Sequence, residues 1–521
     1  MALVLALVLL PAGYVVGQLF APAGAHWPHL ASTLLLDYAW HSALLLAGVA
    51  VVVLVLAVPS AWLVSAYRFP GQRAFDSLLM VPLAMPTYIA ATVYADMCSY
   101  TGSLQAAYQW LFPGESLPFD ILSMPGAMLV MGSVLYPYTF IMARASFRGQ
   151  SRTLLEASRL LGQGLWPSFF RIALPLARPA IAGSLFLVAM EVLNEYGTVK
   201  YYGISTFTTG IFKAWLSMGD LGSAVRLSAL LLLSVLLLLW LERWQRGAQR
   251  FAASPKSMRP SERQALRGAA KWAAFLYCCL PLALGFGLPV GQMGYWAWER
   301  GTAALTHDFW MWLRNTLAVG TAAAGLTLAA ALWLVYAARL SGSGRMQYLA
   351  RLGTLGYAVP GAVIAVGIMA AFRHADTLLS WWQGKPGLWL SGSLAALLAA
   401  YLIRFLAIAY NPLEAGFEKT AGQLDEASRA LGRSPWHTLR RIHLPLLRSS
   451  LLSAALMVGI EVMKELPLTL ILRPFNFDTL ATKAFELASD EQIQAAAPAS
   501  LLIVAVGILP VLSLINALDR S

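Results

Sequence analysis

Residues 41–65 read HSALLLAGVAVVVLVLAVPSAWLVS, a run with no Asp, Glu, Lys or Arg. A helix needs about 20 mostly apolar residues to cross roughly 30 Å of hydrocarbon, so this run alone predicts a membrane span. Eleven further segments read the same way, near 3–20, 77–97, 123–145, 178–197, 224–242, 271–291, 314–338, 353–372, 391–411, 447–466 and 497–517. Lipid offers no partner to an unpaired backbone group, so only helices and closed barrels cross it. The apolar runs are continuous where a barrel strand would alternate, which leaves an all-α polytopic membrane protein of twelve transmembrane helices. With 59% hydrophobic and 12% charged residues, the chain lies outside the range of soluble domains.

The polar stretch ASPKSMRPSER at Ala252–Arg263 divides the twelve segments into six and six. It predicts an N-terminal six-helix half over 1–243, a linker over 244–270 and a C-terminal six-helix half over 271–521. The first segment ends near an APA tripeptide at Ala21–Ala23 that resembles a signal-peptide cleavage site. No Lys or Arg precedes it, however, and Val16–Gln18 recurs as Val290–Gln292, so retention is expected.

Charge sets the orientation. The net charge is +12, and eight basic residues fall between Arg243 and Lys271. Loops on the linker's side of the membrane hold most of the Lys and Arg, the positive-inside pattern. Both termini and the linker are therefore expected in the cytoplasm. A nucleic-acid site would need one folded basic face with interleaved aromatics, and the cations instead follow the loops, so no nucleic-acid partner is expected. The scattered tryptophans near segment ends fit an interfacial belt. Cys98, Cys278 and Cys279 make no disulfide framework and are expected to pack as small apolar groups.

One segment occurs twice. EASRLLGQGLWPSFFRIALPLAR (Glu156–Arg178) and EASRALGRSPWHTLRRIHLPLLR (Glu426–Arg448) are identical at 13 of 23 positions, at a constant offset of 270. Ala157, Leu160 and Leu161 share one helical face. Gly162 and Gly432 are of the type that ends a helix in left-handed dihedrals. A second short helix, about Trp166 to Ile172 and again around Ile442, would follow. Pro175 and Pro445 would then sit in the first turn of the next helix. The product is a bent cytoplasmic knuckle, once in each half, between the fourth and fifth helices. Halves that run parallel imply a pseudo-twofold axis along the membrane normal. Pro86 and Pro360, 274 apart and each read as within a third helix, fit the same repeat.

The knuckle residues resemble the EAA signature of the membrane subunits of ATP-binding-cassette importers: EASRLLG followed by RIALP, and EASRALG followed by RIHLP. The resemblance spans essentially the whole chain as two fused permease halves. It implies that Glu156, Ala157, Gly162, Ile172 and Pro175, with Glu426, Ala427, Gly432, Ile442 and Pro445, form two coupling helices, each docking on one of two cytoplasmic ATPase subunits. ATP and Mg would then be held by those chains, with no cofactor in this one. Ser158 and Ser428 depart from the signature at its third position, a small-for-small change. Phe170 against Arg440 and Leu165 against Pro435 make the two knuckles unequal.

Beyond each knuckle, Glu191 and Glu195 match Glu461 and Glu465 at the same offset of 270. Four-residue spacing places each pair on one helical face, and at about 1.5 Å per residue they lie well inside the bilayer. A charge there costs about 2.5–3.5 kcal/mol, so the four are expected to face water, each other or a cation, and Lys464 is an evident partner. Carboxylates suit hard cations, which makes Glu191 and Glu461 candidate transient metal contacts. Tyr196 is a further pathway candidate. His26 and His29, three apart, have metal spacing but read as loop residues.

The stretches Asn194–Trp215 and Lys464–Glu491 resemble ferric-iron importer permeases. That resemblance implies iron(III) as substrate, an extracytoplasmic binding protein as partner, and a bacterial inner membrane as location. Related fused permeases carry thiamine or phosphonates, and a secondary transporter also uses twelve helices in two halves. No P-loop, HExxH or paired CxxC occurs, so a transport subunit is expected, not an enzyme.

Overall fold

The computed structural model describes residues 2–20, 24–150, 165–247, 263–301, 305–383, 387–419 and 423–520. The described chain is helical apart from one two-residue bridge. Its twelve principal helices are α1 Ala2–Gly17, α2 Leu35–Ala66, α3 Thr87–Met97, α4 Met124–Arg148, α5 Leu174–Asn194, α6 Leu221–Gly247, α7 Ala269–Arg300, α8 His307–Ser341, α9 Gly361–Gln383, α10 Leu394–Lys419, α11 Arg448–Lys464 and α12 Ile493–Arg520. Among the described residues nine helices are long and apolar enough to cross a membrane, or eleven if two bent pairs each count as one span. α1 is a shorter apolar helix.

The third segment, expected as one helix over 77–97, is instead broken. Gln72–Leu78 and the 3-10 turn Val81–Ala84 precede α3 at a bend of 92°. Pro86 is not inside the helix; it stands before it in extended conformation, φ −64° and ψ 137°. Its counterpart Pro360 likewise follows a 3-10 turn, Gly353–Ala358, and precedes α9. Both positions follow from a residue that has no N–H to give and fits only the start of a helix.

The chain packs as two compact units whose boundaries do not follow chain order. One comprises Met1–Pro28, Ile211–Leu232 and Leu305–Lys483; the other comprises His29–Gly210, Leu233–Ala304 and Ala484–Ser521. Each half thus gives its first helix to the unit built mainly from the other. In the first unit α1 lies on α9, where the Tyr14 hydroxyl is 2.9 Å from His374 Nε2. Gly367 permits the approach, since a Cβ there would come within 2.8 Å of Pro11 Cβ. In the second unit α7 lies on α2, α3 and α4. The Tyr277 hydroxyl donates to the Val55 carbonyl, and Tyr94 Oη donates to the Leu284 carbonyl at 2.6 Å. Gly285 meets the α4 backbone, where an added Cβ would be 2.1 Å from the Ser133 carbonyl oxygen. A π-turn over Ala283–Gly287 carries this contact.

Candidate coupling segment and pathway carboxylates

The second knuckle is described almost whole. Asp425 and Glu426 lie in the first turn of the helix Gln423–Ala430, where acidic groups meet the positive helix end. Gly432 ends it at φ +69°. The Gly432 N–H donates to the Arg429 carbonyl at 2.9 Å and that of Arg433 to the Ser428 carbonyl at 3.0 Å, which closes a Schellman motif. Ser434 then caps Pro435–Thr438 through His437 N, with Pro435 at the first helical position. A π-turn, Leu439–His443, and the short turn Leu444–Leu446 follow. The break comes at Leu447, two residues after Pro445, and the chain bends by 77° into α11. Pro445 thus still belongs to the knuckle and not, as the sequence suggested, to the first turn of the next helix.

Four polar contacts hold this knuckle together. Ser428 Oγ and Thr438 Oγ1 are 2.6 Å apart and buried, tying its two short helices. Asp425 accepts from Arg339 Nε of α8 at 2.7 Å and lies 2.6 Å from Nε2 of His443, which is fully buried. The Tyr336 hydroxyl, also on α8, donates to the Pro435 carbonyl at 2.7 Å. Burial alone would raise the Asp425 carboxyl, but the hydrogen bonds from His443 and Arg339 outweigh it and hold the group below its ordinary value. The rings of Tyr336, Phe417 and His443 stack around this contact. With its inner side so fixed, the knuckle presents Glu426, Ala427, Ala430, Leu431 and Trp436 outward, Leu431 at 77% exposure. Ile442 is half-buried and Pro445 exposed.

Of the first knuckle, Glu156, Ala157 and Gly162 lie outside the described residues. From Leu165 the chain runs through a short helix and a π-turn, Phe169–Ala173, directly into α5. Pro175 lies in the first turn of α5 and is half-buried, like Ile172. The anchor differs from that of the second copy. Phe169 packs on Trp62 at 5.6 Å between ring centroids and on Phe147 at 6.3 Å. Gln150 Nε2 donates to the Ala173 carbonyl at 2.8 Å. Ala173 occupies the place of His443, so the described part of the first knuckle is pinned by aromatic packing and the second knuckle by an ion pair.

The four glutamates divide differently from the expectation. α5 ends at Asn194 and α11 at Lys464, so Glu195 and Glu465 sit past the helix, in extended conformation (ψ 130° and 119°), and do not share a helical face with Glu191 and Glu461. Each caps the short helix that follows. Glu195 Oε1 accepts from Thr198 N at 2.8 Å and Glu465 Oε1 from Leu468 N at 3.2 Å. Their carbonyls accept from Thr208 Oγ1 at 2.7 Å and Thr469 Oγ1 at 2.8 Å. Thr87 donates to Glu195, whereas Arg404 Nε stands 3.1 Å from Glu465 Oε2. Gly361, 274 residues after Thr87, makes room for the second arrangement, because a Cβ there would lie 2.8 Å from Glu465 Oε1.

Glu461 pairs with Lys464 at 2.8 Å and keeps 34% of its side chain exposed. Glu191, on α5, is half-buried. Glu191 and Glu195 fall in one compact unit, Glu461 and Glu465 in the other. Tyr196 is buried, its ring 6.0 Å from that of Phe485. Among the described residues no three His, Cys, Asp or Glu side chains form a group that could hold a metal ion. His26 is engaged by Asp220, which accepts from the His26 N–H at 2.9 Å and caps α6 through Ser223 N at 3.0 Å.

Sequence reasoning missed Ser428, Asp425, His443, Arg339, Tyr336 and Arg404. A signal existed for two of them: Asp425 and His443 stand where the first copy has Leu155 and Ala173, a paired departure from the repeat.

Known proteins resemble this chain in sequence. The Fe(3+)-transport system permease protein FbpB 2 of Haemophilus influenzae is 28% identical over 87% of this chain and 84% of its own length. The molybdenum transport system permease protein ModB of Escherichia coli K12 is 28% identical over 97% of its own length but 41% of this chain, as a single-half relative would be. The putative 2-aminoethylphosphonate transport system permease protein PhnV of Salmonella typhimurium is 27% identical over 40% of this chain and 76% of its own. One family's sequence pattern matches twice, over residues 58–250 and 316–521, so that α1 and α7, the first helix of each half, fall outside both matches. This chain is therefore a fused two-half permease of the ABC-importer type and belongs to the family of binding-protein-dependent transport system inner membrane components.

Proposed function

We propose that the chain imports iron(III), handed to it by an extracytoplasmic binding protein, with the work supplied by ATP hydrolysis on two separate cytoplasmic subunits. The observation that carries the substrate is the similarity to the Fe(3+) permease, which runs through both halves, while the molybdenum and phosphonate relatives cover about two-fifths of the chain.

The second knuckle supports the coupling reading. Its outer side is small and apolar at Ala427, Ala430 and Leu431, the surface a helix end offers to a groove, and its inner side is locked to α8. Force applied outside would thus pass to α8 and α11 instead of deforming the knuckle. Glu426, Gly432 and their first-half partners Glu156 and Gly162 carry the same role in this reading, which places both knuckles, both termini and the linker in the cytoplasm.

Within the membrane, Glu191 and Glu461 are the pathway carboxylates of the proposal. Glu195 and Glu465 instead hold the break after α5 and α11, with Arg404 offsetting the charge of Glu465. The residues suit a cation in transit: carboxylate oxygens without a closed cage allow release as well as contact.

The test is ATPase activity of the reconstituted complex with its ATPase subunits and binding protein. Stimulation by iron(III)-loaded binding protein, and not by thiamine, phosphonate or molybdate, is expected. Stimulation by one of the other solutes and not by iron would overturn the substrate, and uptake driven by a proton gradient without ATP would overturn the coupling.

A further inference from the structure

The end of the linker is not a free tether. Gln264 and Ala265 pair in parallel with Tyr67 and Arg68, just past the end of α2, and the Leu266 N–H donates to the Arg68 carbonyl at 3.0 Å. The pairing brings Arg263 against the turn that leads from α2 into Gln72–Leu78. Arg263 NH1 is 3.4 Å from Gln72 Oε1, and NH2 is 3.4 Å from Asp76 Oδ2. Phe275 of α7 closes on Phe75 from the side, with ring centroids 5.4 Å apart.

An open pocket of about 570 Å³ remains at this junction, lined chiefly by Arg68, Phe69, Gln72, Arg73 and Arg263. Its charge is unbalanced. Among the described residues Asp76 is the carboxylate of the cluster, and three guanidinium groups already share it: Arg144, Arg148 and Arg263. Arg68 and Arg73 are exposed at the pocket and form no ion pair among the described residues. Burial pulls the Arg263 guanidinium below its ordinary value; Asp76 opposes this, while Arg148, Arg68 and Arg73 add to it. Among the described residues, Arg68, Arg73 and Arg148 thus bear on Arg263 with Asp76 as the opposing charge, and an entering anion would relieve that repulsion.

Position narrows the anion. α2 and α7 are both span-length apolar helices, and the pocket lies where one ends and the other begins. Trp272, half-exposed on the first turn of α7 with Lys271 Nζ 5.6 Å over its ring, has the character of a membrane-surface anchor. The pocket therefore opens at the level of lipid headgroups. Guanidinium forks match phosphate oxygens in a way a single ammonium does not, and basic pockets between helices at this level take phospholipid headgroups.

We propose that the pocket formed by Arg68, Arg73, Gln72 and Arg263 is a phosphate-binding site at the docked end of the linker. An anionic phospholipid and free phosphate offer the same chemistry, and the two sources are separable. Thermal unfolding of the full chain is measured in nanodiscs of phosphatidylcholine, with and without about one-third phosphatidylglycerol, and in phosphatidylcholine with inorganic phosphate against chloride at equal ionic strength. A rise in Tm of several degrees is expected from at least one phosphate source, with at least half of it lost in Arg68→Gln/Arg73→Gln. A rise from phosphatidylglycerol alone identifies the lipid; a rise from inorganic phosphate identifies the free ion. Arg68→Lys/Arg73→Lys keeps the charge and removes the forks, so a partial loss is expected there even if the Gln variant does not fold. Equal rises in wild type and the Lys variant, or no rise from either source, would overturn the proposal.

Discussion

Arg404 and Glu465 form a buried ion pair at 3.1 Å, in the place where the other half of the molecule joins Thr87 to Glu195. Position 361 decides between the two arrangements. Glycine leaves room for a guanidinium to reach the carboxylate, whereas threonine brings a hydroxyl of its own. The same backbone break is thus held by an ion pair in one half and a neutral donor in the other.

Removing one partner of a buried pair leaves the other charge stranded at a cost of about 3–5 kcal/mol. Arg404→Met is therefore expected to lower the Tm and yield of the purified protein sharply, and Arg404→Met/Glu465→Gln to recover much of the loss. A double variant no more stable than the single one would show that the pair is not the source.

Gly432 has φ +69° and nothing within 4 Å of a Cβ built on it, so only backbone strain opposes substitution. Left-handed dihedrals cost an ordinary residue about 1–2 kcal/mol, and Asn less than most. Transport per ATP hydrolysed should fall in the order Gly, Asn, Ala, Val. Equal coupling in Gly432→Asn and Gly432→Val would remove the knuckle's shape from the mechanism.

The Asp425 carboxyl titrates below its unfolded value, so its contribution to stability is full above about pH 4 and lost as pH falls through the lower folded value. Asp425→Asn should be less stable than wild type at pH 7, and the two unfolding curves should converge as pH falls through the lowered folded value. Parallel curves at every pH would separate the stability of the knuckle from this ionisation.

Ser428 bridges to Thr438, whose hydroxyl also donates to the Ser434 carbonyl. Ser428→Ala keeps that second bond, so the expected cost is about 1 kcal/mol with coupling retained. Ser428→Leu would force the two short helices apart, and uptake with it should fall at least tenfold. Normal uptake by the Leu variant would count against the bridge.

Glu191→Gln and Glu461→Gln should each reduce iron uptake at least tenfold with ATPase activity and Tm preserved. Glu195→Gln and Glu465→Gln should instead lower Tm, because those side chains cap the helices after the break. If all four behave alike, the division into pathway and structural carboxylates fails.

The sequence alone determined the helical class, the two-half organisation and the place of the second knuckle. These are local properties: an apolar run long enough to span, a glycine where a helix must stop, a proline where one starts, and a repeated order of residues that keeps its spacing. It also marked the four glutamates, since carboxylates are rare in such runs. Only the tertiary structure decided what those glutamates touch. The helix break after Asn194 and Lys464 turns Glu195 and Glu465 away from the faces a continuous helix would give them, and the partners that reach them, Thr87 and Arg404, come from distant segments. The same holds for the exchange of α1 and α7 between units and for the docking of Arg263 beside Arg68. Hydrophobic pattern fixes that a helix is buried in lipid or protein, but which neighbour it meets depends on close approach at a few small residues, Gly367 on Pro11 and Gly285 on Ser133, and no periodicity along a single segment encodes that choice.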